Sequence, residues 1–276
     1  MLSIITCSVS VNLLNQLSAS LDRTVNVPYE LIAFDNSKVN YSLAKAYNIA
    51  ASSAKNDFIV FIHEDIEFLE IGWGERLITI LNNPIYGIVG VAGSIYLPSV
   101  PSGWYLPDER YNLVYVHQGF KYKEAPLRFD NQGEDLTPVY LVDGVFLAMR
   151  REVYLEFPFN EKLTGFHGYD VDISQRVSSK YQNVFTNQIE FVHHSEGKVD
   201  KIYFDTILSY KGQYSSFKYP QRNFIVEISL FKQLYSNLRC FYDKKEVIMK
   251  LKPYLSIKHV GFKGYFHIKK FLKNGV

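Results

Sequence analysis

Five short polar clusters in this chain carry side chains able to do chemistry. His63-Glu64-Asp65 ends the apolar run Phe58–Ile62. A hard divalent cation that bridges a diphosphate takes few protein oxygens and keeps several waters, so one carboxylate at a strand lip, beside other polar groups, can anchor it. Asp35-Asn36-Ser37 closes a second apolar run, Glu30–Phe34. A carboxylate there can accept from an imide N–H, and the same three residues can equally make a turn or cap the next helix. Asp143-Gly144 interrupts the apolar stretch 139–149, where a glycine permits close approach of a substrate. Asp170 opens a helical pattern, as a first-turn acid favoured by the helix dipole or as a base for a hydroxyl proton; the two roles are compatible. His193-His194 ends an apolar run, and strand alternation sends the two imidazoles to opposite faces, so one of them is expected to enter a site.

The elements that must hold these clusters alternate between two periods. Leu2–Thr6, Glu30–Phe34, Asp57–Ile62 and Gly87–Ala92 are short apolar runs suited to buried strands. Between them, Asn12–Leu21, Tyr41–Ala54 and Gly72–Leu81 repeat apolar residues at helical spacing, as in Leu13, Leu14, Leu17 and Leu21. Strand-helix-strand repetition with continuous apolar strands predicts an α/β fold with a mostly parallel sheet covered on both faces. Ligands of such sheets bind outside the carboxyl ends of the strands, which is where Asp35-Asn36-Ser37 and His63-Glu64-Asp65 fall. Residues 94–137 break the rhythm with scattered prolines, Trp104 and several tyrosines, and a long irregular stretch of this kind is expected to serve function. The pattern resumes at Pro138–Arg150, with a helix over Asp170–Ser179 and a strand over Gln188–Val192. Ile202–Tyr214 and Phe224–Tyr242 read as helices of a C-terminal extension.

In this order along the chain the clusters resemble a GT-A family-2 glycosyltransferase, over about residues 3–194. His63-Glu64-Asp65 is similar to that family's Asp-x-Asp element, in the His-x-Asp version of the StrF-like (streptomycin biosynthesis) subset. The resemblance implies Asp65 on Mn2+ or Mg2+, with His63 and Glu64 toward the nucleotide. Asp35 then receives the N3–H of a uracil or thymine, and Thr6 and Asn48 fall where the family contacts the donor. Gly165–Arg176 resembles the Gly-x-Glu-Asp-x-Asp signature, which makes Asp170 the general base and puts Tyr169 where Glu is usual. Asp143, Gly144 and Tyr169 are implied at the donor or acceptor sugar. A histidine at His193 or His194 is implied as a further metal ligand. The expected domains are a GT-A nucleotide-sugar domain over 1–200 and a helical, basic and aromatic extension over 201–276. The expected reaction is inverting transfer of a sugar from a UDP- or dTDP-sugar to a saccharide or lipid-linked acceptor. A GT-A-shaped nucleotide or carbohydrate-binding protein and a metal-dependent phosphoesterase are the alternatives.

Bulk composition narrows the field further. The 276 residues are 47% hydrophobic and 21% charged, ordinary for a globular chain able to bury its own core. A net charge of +2 gives no case for nucleic acid from the total. The basic residues concentrate instead in Lys244–Val276, where nine lysines face one acid, Glu246, among aromatic residues. That tail is expected to be a solvated helical surface or a peripheral contact with a membrane. Two distant cysteines, Cys7 and Cys240, suit a reducing, cytoplasmic setting. A nicotinamide dehydrogenase is disfavoured, because no Gly-x-Gly-x-x-Gly follows the first strand.

Overall fold

The structure, a computed structural model, describes residues 1–119, 127–131, 135–195, 197, 199–213 and 222–274. In chain order the elements begin β1 (Leu2–Ser8), α1 (Val11–Thr24), β2 (Tyr29–Asp35), α2 (Leu43–Ala51), β3 (Phe58–Ile62) and β4 (Ile66–Phe68). They continue α3 (Trp73–Leu81), β5 (Tyr86–Gly90), β6 (Ala92–Ser94), β7 (Asn112–Gln118), β8 (Leu127–Asn131), β9 (Leu136–Val139), β10 (Leu141–Val142) and β11 (Phe146–Arg150). After these come α4 (Arg151–Glu156), α5 (Tyr169–Val177), β12 (Gln182–Thr186), β13 (Phe191–His193), α6 (Lys201–Gln213), α7 (Phe224–Leu238), α8 (Lys244–Leu251) and α9 (Ile257–Asn274).

Two sheets share the work. The larger runs β2-β1-β3-β11-β5-β12-β9. β11 and β9 run antiparallel to their neighbours in it, and the remaining pairings are parallel. Alternate residues of its strands divide between two apolar cores. Ile5, Ile59, Phe61, Leu147 and Met149 enter one; Ile4, Val60, Ile62, Phe146 and Ala148 enter the other. α1 and α3 cover the second core with Leu17, Leu21, Trp73 and Leu77. Serines start the two early helices: Ser10 Oγ accepts from the Leu13 amide at 3.4 Å and Ser42 Oγ from the Lys45 amide at 3.4 Å.

The smaller sheet, β10-β6-β7-β13-β4 with β8 beside β7, is built from segments that leave the larger one. The expected strand Gly87–Ala92 divides at Val91, its first part staying in the large sheet as β5 and the next residues joining the small one as β6. The chain changes sheet again at 63–65, between β3 and β4, and at 143–145, between β10 and β11. The seam is closed by backbone bonds from Asp143 N–H to Ala92 O at 2.9 Å and from His63 N–H to Val145 O at 3.3 Å. The irregular stretch 94–137 contributes β7 to this sheet; its residues 120–126 and 132–134 lie outside the described part.

The C-terminal helices share the first core. Val226, Leu230, Phe231, Leu234, Val247, Leu251, Val260 and Ile268 join the same buried cluster as Ile5 and Phe61. One polar contact fixes them to the loop after β6. Glu227 on α7 is fully buried and accepts from Tyr96 Oη at 2.8 Å, the Ser99 amide at 2.8 Å and the Val100 amide at 2.9 Å. Three donors to one buried carboxylate make it costly to remove, because each would lose its partner away from water. Glu227→Ala is therefore expected to lower unfolding stability by about 3–5 kcal/mol, read as a drop in urea midpoint at unchanged slope, with Glu227→Gln losing less.

Candidate active site

The seam between the sheets is where the polar clusters meet. Past Ile62 the backbone turns through His63-Glu64-Asp65 into β4, and β13 pairs antiparallel with β4 so that His193 lies opposite Ile66. This pairing carries His193 beside Asp65: His193 Nε2 is 3.5 Å from Asp65 Oδ1. Ligand atoms of His63, Asp65 and His193 all fall within 4.8 Å of one another. Asp65 Oδ1 and His193 Nε2 are buried and make no hydrogen bond, although 3.5 Å is within ion-pair reach. Two buried, unmatched lone-pair donors aimed at one point fit a divalent cation, since a buried polar atom is otherwise costly.

Neighbouring side chains set these ligands. Gln118, at the end of β7, lies with its Oε1 3.3 Å from His193 Nδ1, which leaves Nε2 as the nitrogen on the Asp65 side. His63 Nε2 bonds Tyr169 Oη at 2.9 Å. Burial, reinforced by His193 and partly offset by Asp65, pushes the His63 imidazole down to about 4, so it is neutral near pH 7 and able to ligate. The Asp65 carboxyl lies below its ordinary value: burial alone would raise it, but the adjoining His193 and His63 outweigh burial.

Tyr169 begins α5 after Gly168, whose φ of 74° lies in the left-handed region that glycine adopts without strain. Its ring packs edge-on to Tyr47 at 5.8 Å and lies directly over Gly144. A Cβ on Gly144 would come within 2.0 Å of Tyr169 Oη, so only glycine leaves room for the tyrosine at this point. Asp170 follows on the same turn and accepts from the Gly144 amide at 3.3 Å. Burial first, then the nearby Asp143, raises the Asp170 carboxyl to about 7. Burial also raises Asp143, with His193 acting against it.

His63, Gln118, Asp143, Tyr169, Asp170 and His193 open on one cleft of about 860 Å³. Its other walls come from loops around Trp104 and Phe166 and from Tyr203 on α6. The remaining expected residues take other places. Glu64 turns away from the cleft, its carboxylate accepting from the Val9 amide at 3.1 Å and the Ser10 amide at 3.3 Å, which ties the turn to the start of α1. Asn48 is engaged with the segment 154–161 through Phe159, Glu161 and Tyr154. Thr6 is buried within β1, its Oγ unbonded. Asp35 is exposed at the end of β2 and its Oδ1 accepts from the Ser37 amide at 3.0 Å and from Ser37 Oγ at 2.6 Å. Those two bonds hold its carboxyl below the usual range. His194 is exposed and lies 3.7 Å from Glu67, as alternation along β13 requires once His193 points inward. His63 as a member of the ligand cluster, and Gln118 behind His193, were not expected from the sequence.

Residues 3–206 match the model of the glycosyltransferase-like family. The chain belongs to that family. No curated protein matches it. Among solved structures, this glycosyltransferase-like chain is similar to GalNAc-T7 with UDP, GalNAc and Mn2+, at TM-score 0.53 and 12% identity, over 97% of this chain and 58% of that one. It is also similar to the mannosyltransferase PcManGT from Pyrobaculum calidifontis in complex with GDP-Man and Mn2+, at TM-score 0.54 and 10% identity, over 99% and 79% of the two chains. Residues 1–349 of S. aureus TarS match at TM-score 0.50 and 10% identity, over 87% and 72%. The chain therefore spans 58% of the GalNAc-T7 chain. These likenesses identify the fold as GT-A: a mixed α/β chain around a mostly parallel sheet.

The Gly144–Tyr169–His63 contact can be broken in two ways. Gly144→Ala forces the tyrosine aside and is expected to lower stability by about 1–3 kcal/mol through overpacking. Tyr169→Phe keeps the packing and removes only the bond to His63, and it is expected to weaken Mn2+ binding about 10- to 100-fold, as loss of a ligand's orienting partner does. Urea unfolding and Mn2+ titration calorimetry measure the two effects. Unchanged Mn2+ affinity in Tyr169→Phe would remove the positioning role.

Proposed function

We propose that this family member is an inverting, metal-assisted glycosyltransferase that moves a sugar from a UDP- or dTDP-sugar to a saccharide or lipid-linked acceptor. The observation that carries the reading is the single cleft lined by His63 and His193, which cluster with Asp65 behind them, and also by Asp170. The complexes of GalNAc-T7 with UDP and Mn2+ and of PcManGT with GDP-Man and Mn2+ support a nucleotide-sugar donor on this fold. The residues resemble the His-x-Asp version of the family's metal element, as in the StrF-like subset, and this chain's cluster uses that histidine as a ligand candidate.

His63, Asp65 and His193 would hold the cation, which when bound neutralises charge on the departing diphosphate. Two imidazoles and one carboxylate favour a first-row ion such as Mn2+ over Mg2+, which prefers an all-oxygen octahedron. Asp170 supplies the base. An acceptor hydroxyl loses its proton to this carboxylate as its oxygen bonds to the anomeric carbon, and the bond from that carbon to the diphosphate oxygen breaks. A base near 7 is matched to that task, being about half deprotonated at neutral pH yet still willing to take a proton. Asp143 and Gly144 face the reacting groups, with Asp143 holding up the basicity of Asp170 by repulsion. Asp35, at the end of β2, would accept the imide N–H of the base through the oxygen not engaged by Ser37.

Titration calorimetry of UDP, dTDP and GDP with and without Mn2+ tests the donor end. UDP or dTDP is expected to bind only with Mn2+, and Asp65→Ala to lose that dependence; absence of binding by every nucleotide, or Asp65→Ala behaving as wild type, would overturn it. A donor screen that measures released nucleotide separates transfer from binding alone, and hydrolysis of a generic phosphodiester instead would point to a phosphoesterase.

The base makes a pH prediction with a definite sign. Only the deprotonated carboxylate accepts a proton, so turnover is expected to fall about tenfold per pH unit below about 7, and Asp170→Asn to abolish transfer at every pH while nucleotide binding persists. Stability moves the opposite way. The folded-state value is raised above the unfolded one, so this group's contribution is complete below about 4 and is lost as pH rises through about 7. Asp170→Asn is thus expected to be more stable than wild type at pH 8 and equal to it at pH 3.5, as read by thermal melts.

A further inference from the structure

We infer that the outer stripe of the C-terminal helix is a docking surface for an anionic lipid bilayer. Past Gly261, where φ of 72° kinks the helix, α9 presents two opposed faces. Val260, Gly264 and Ile268 point inward and are buried. Phe262, Phe266, Lys269 and Lys273 recur at helical spacing on the opposite side, all exposed. Phe262 is 64% exposed and Phe266 55%, their rings 5.1 Å apart, so the two form one apolar point on the outermost line of the helix.

α7 packs against the inward side of α9 and leaves that point free. Tyr235 packs edge-on to Phe271 at 5.3 Å, and Lys232 Nζ lies 2.6 Å from His267 Nε2. A Cβ on Gly261 would come 2.9 Å from the Phe224 ring, which places the first turn of α7 against the kink. That turn exposes Phe224 by 44% and Ile225 by 80%. Two further apolar side chains thus stand in solvent at the start of α7. The segment 244–276 that carries Phe262 and Phe266 has nine lysines and one acid, and that acid, Glu246, lies 3.9 Å from Lys250 Nζ.

Charge complementarity selects the occupant. A second copy of the chain would set one lysine-rich face against another. The apolar point is also small for a dry protein interface: rings of this size bury about 150–250 Å² each when wholly covered, so Phe262 and Phe266 together offer about 300–500 Å², against about 800 Å² per partner in a stable complex. A bilayer surface asks for less. Phenyl rings enter the boundary of headgroup and acyl chain, while lysine stems lie along them and place ammonium groups at lipid phosphates. Among the described residues no helix is long and apolar enough to cross a membrane, so the contact is one of lying on the surface. This inference uses no residue of the cleft, and either can fail without the other.

Sedimentation of the full chain with vesicles tests it, using phosphatidylcholine alone and phosphatidylcholine mixed with phosphatidylglycerol. Binding is expected only to the mixed vesicles and is expected to weaken as salt rises. Lys269→Gln and Lys273→Gln are each expected to reduce it about fivefold at low salt. Phe262→Ser with Phe266→Ser is expected to reduce it at least tenfold, with melting temperature unchanged because both rings are exposed. Equal binding to neutral vesicles, binding to neither, or wild-type binding by the double phenylalanine variant would overturn the inference. Retention of a DNA duplex by a chain that ignores both vesicles would do so too, in favour of nucleic acid.

Discussion

The site depends on the antiparallel pairing of β13 with β4 across the seam between two sheets. His193 is remote in sequence from Asp65, and nothing in either segment alone brings them together. The pairing does, by setting His193 opposite Ile66 on the strand that starts immediately after the turn. β4 can make that pair only because Glu64 is tied to the Val9 and Ser10 amides, which fixes the turn's direction as the chain leaves the large sheet. Glu64 therefore matters to the cluster through the backbone, while the residues on either side of it belong to the cluster through their side chains. Where the chain departs from a ladder, side chains no longer need to alternate between two cores, and polar groups can converge there. The same reasoning applies to Asp143-Gly144, at the second crossing, and it accounts for both clusters meeting at one seam.

How much of this could be read from sequence follows from the range of the interactions. β1, β2, β3 and the helices between them depend on local periodicity and local capping, such as Ser10 before α1, so their existence was legible. So was the alternation that separates His193 from His194. What was hidden is non-local. β4 has three residues and no period of its own; it exists because β13 pairs with it. Gln118 ends β7, within the stretch that reads as irregular, and its relation to His193 comes from β7 and β13 lying side by side, which no spacing encodes. Asn48 was expected near the donor, yet its amide and carbonyl are taken by Tyr154, Phe159 and Glu161, because α2 has to hold that segment against the first core.

One physical effect organises the electrostatics of the cleft. Removal from water disfavours whichever form is charged, so it lowers the His63 imidazole and raises the Asp170 carboxyl. The two shifts have opposite sign and opposite use. A neutral imidazole has a lone pair to offer, and a carboxylate near 7 has an affinity for a proton that an exposed aspartate lacks. Asp65 departs from the trend because two imidazoles stand against it. Burial and pairing thus divide three acids at the seam into one held below its ordinary value by imidazoles, Asp65, and a mutually repelling pair, Asp143 and Asp170.

The two departures of this chain from the usual GT-A motifs are then a single structural fact. A tyrosine at 169 in place of a carboxylate would leave its hydroxyl oxygen without a donor over Gly144 unless an N–H met it. A histidine at 63 in place of an acid would be free to rotate unless its far nitrogen were held. Each meets the other's need at 2.9 Å, and Gly144 leaves the space in which they meet. In the fold His63 is an imidazole whose Nε2 is already engaged, so Nδ1 is the ring nitrogen left with a lone pair. Position 63 thus adds a fixed nitrogen to the candidate cluster with Asp65 and His193, in place of the charge a carboxylate would bring.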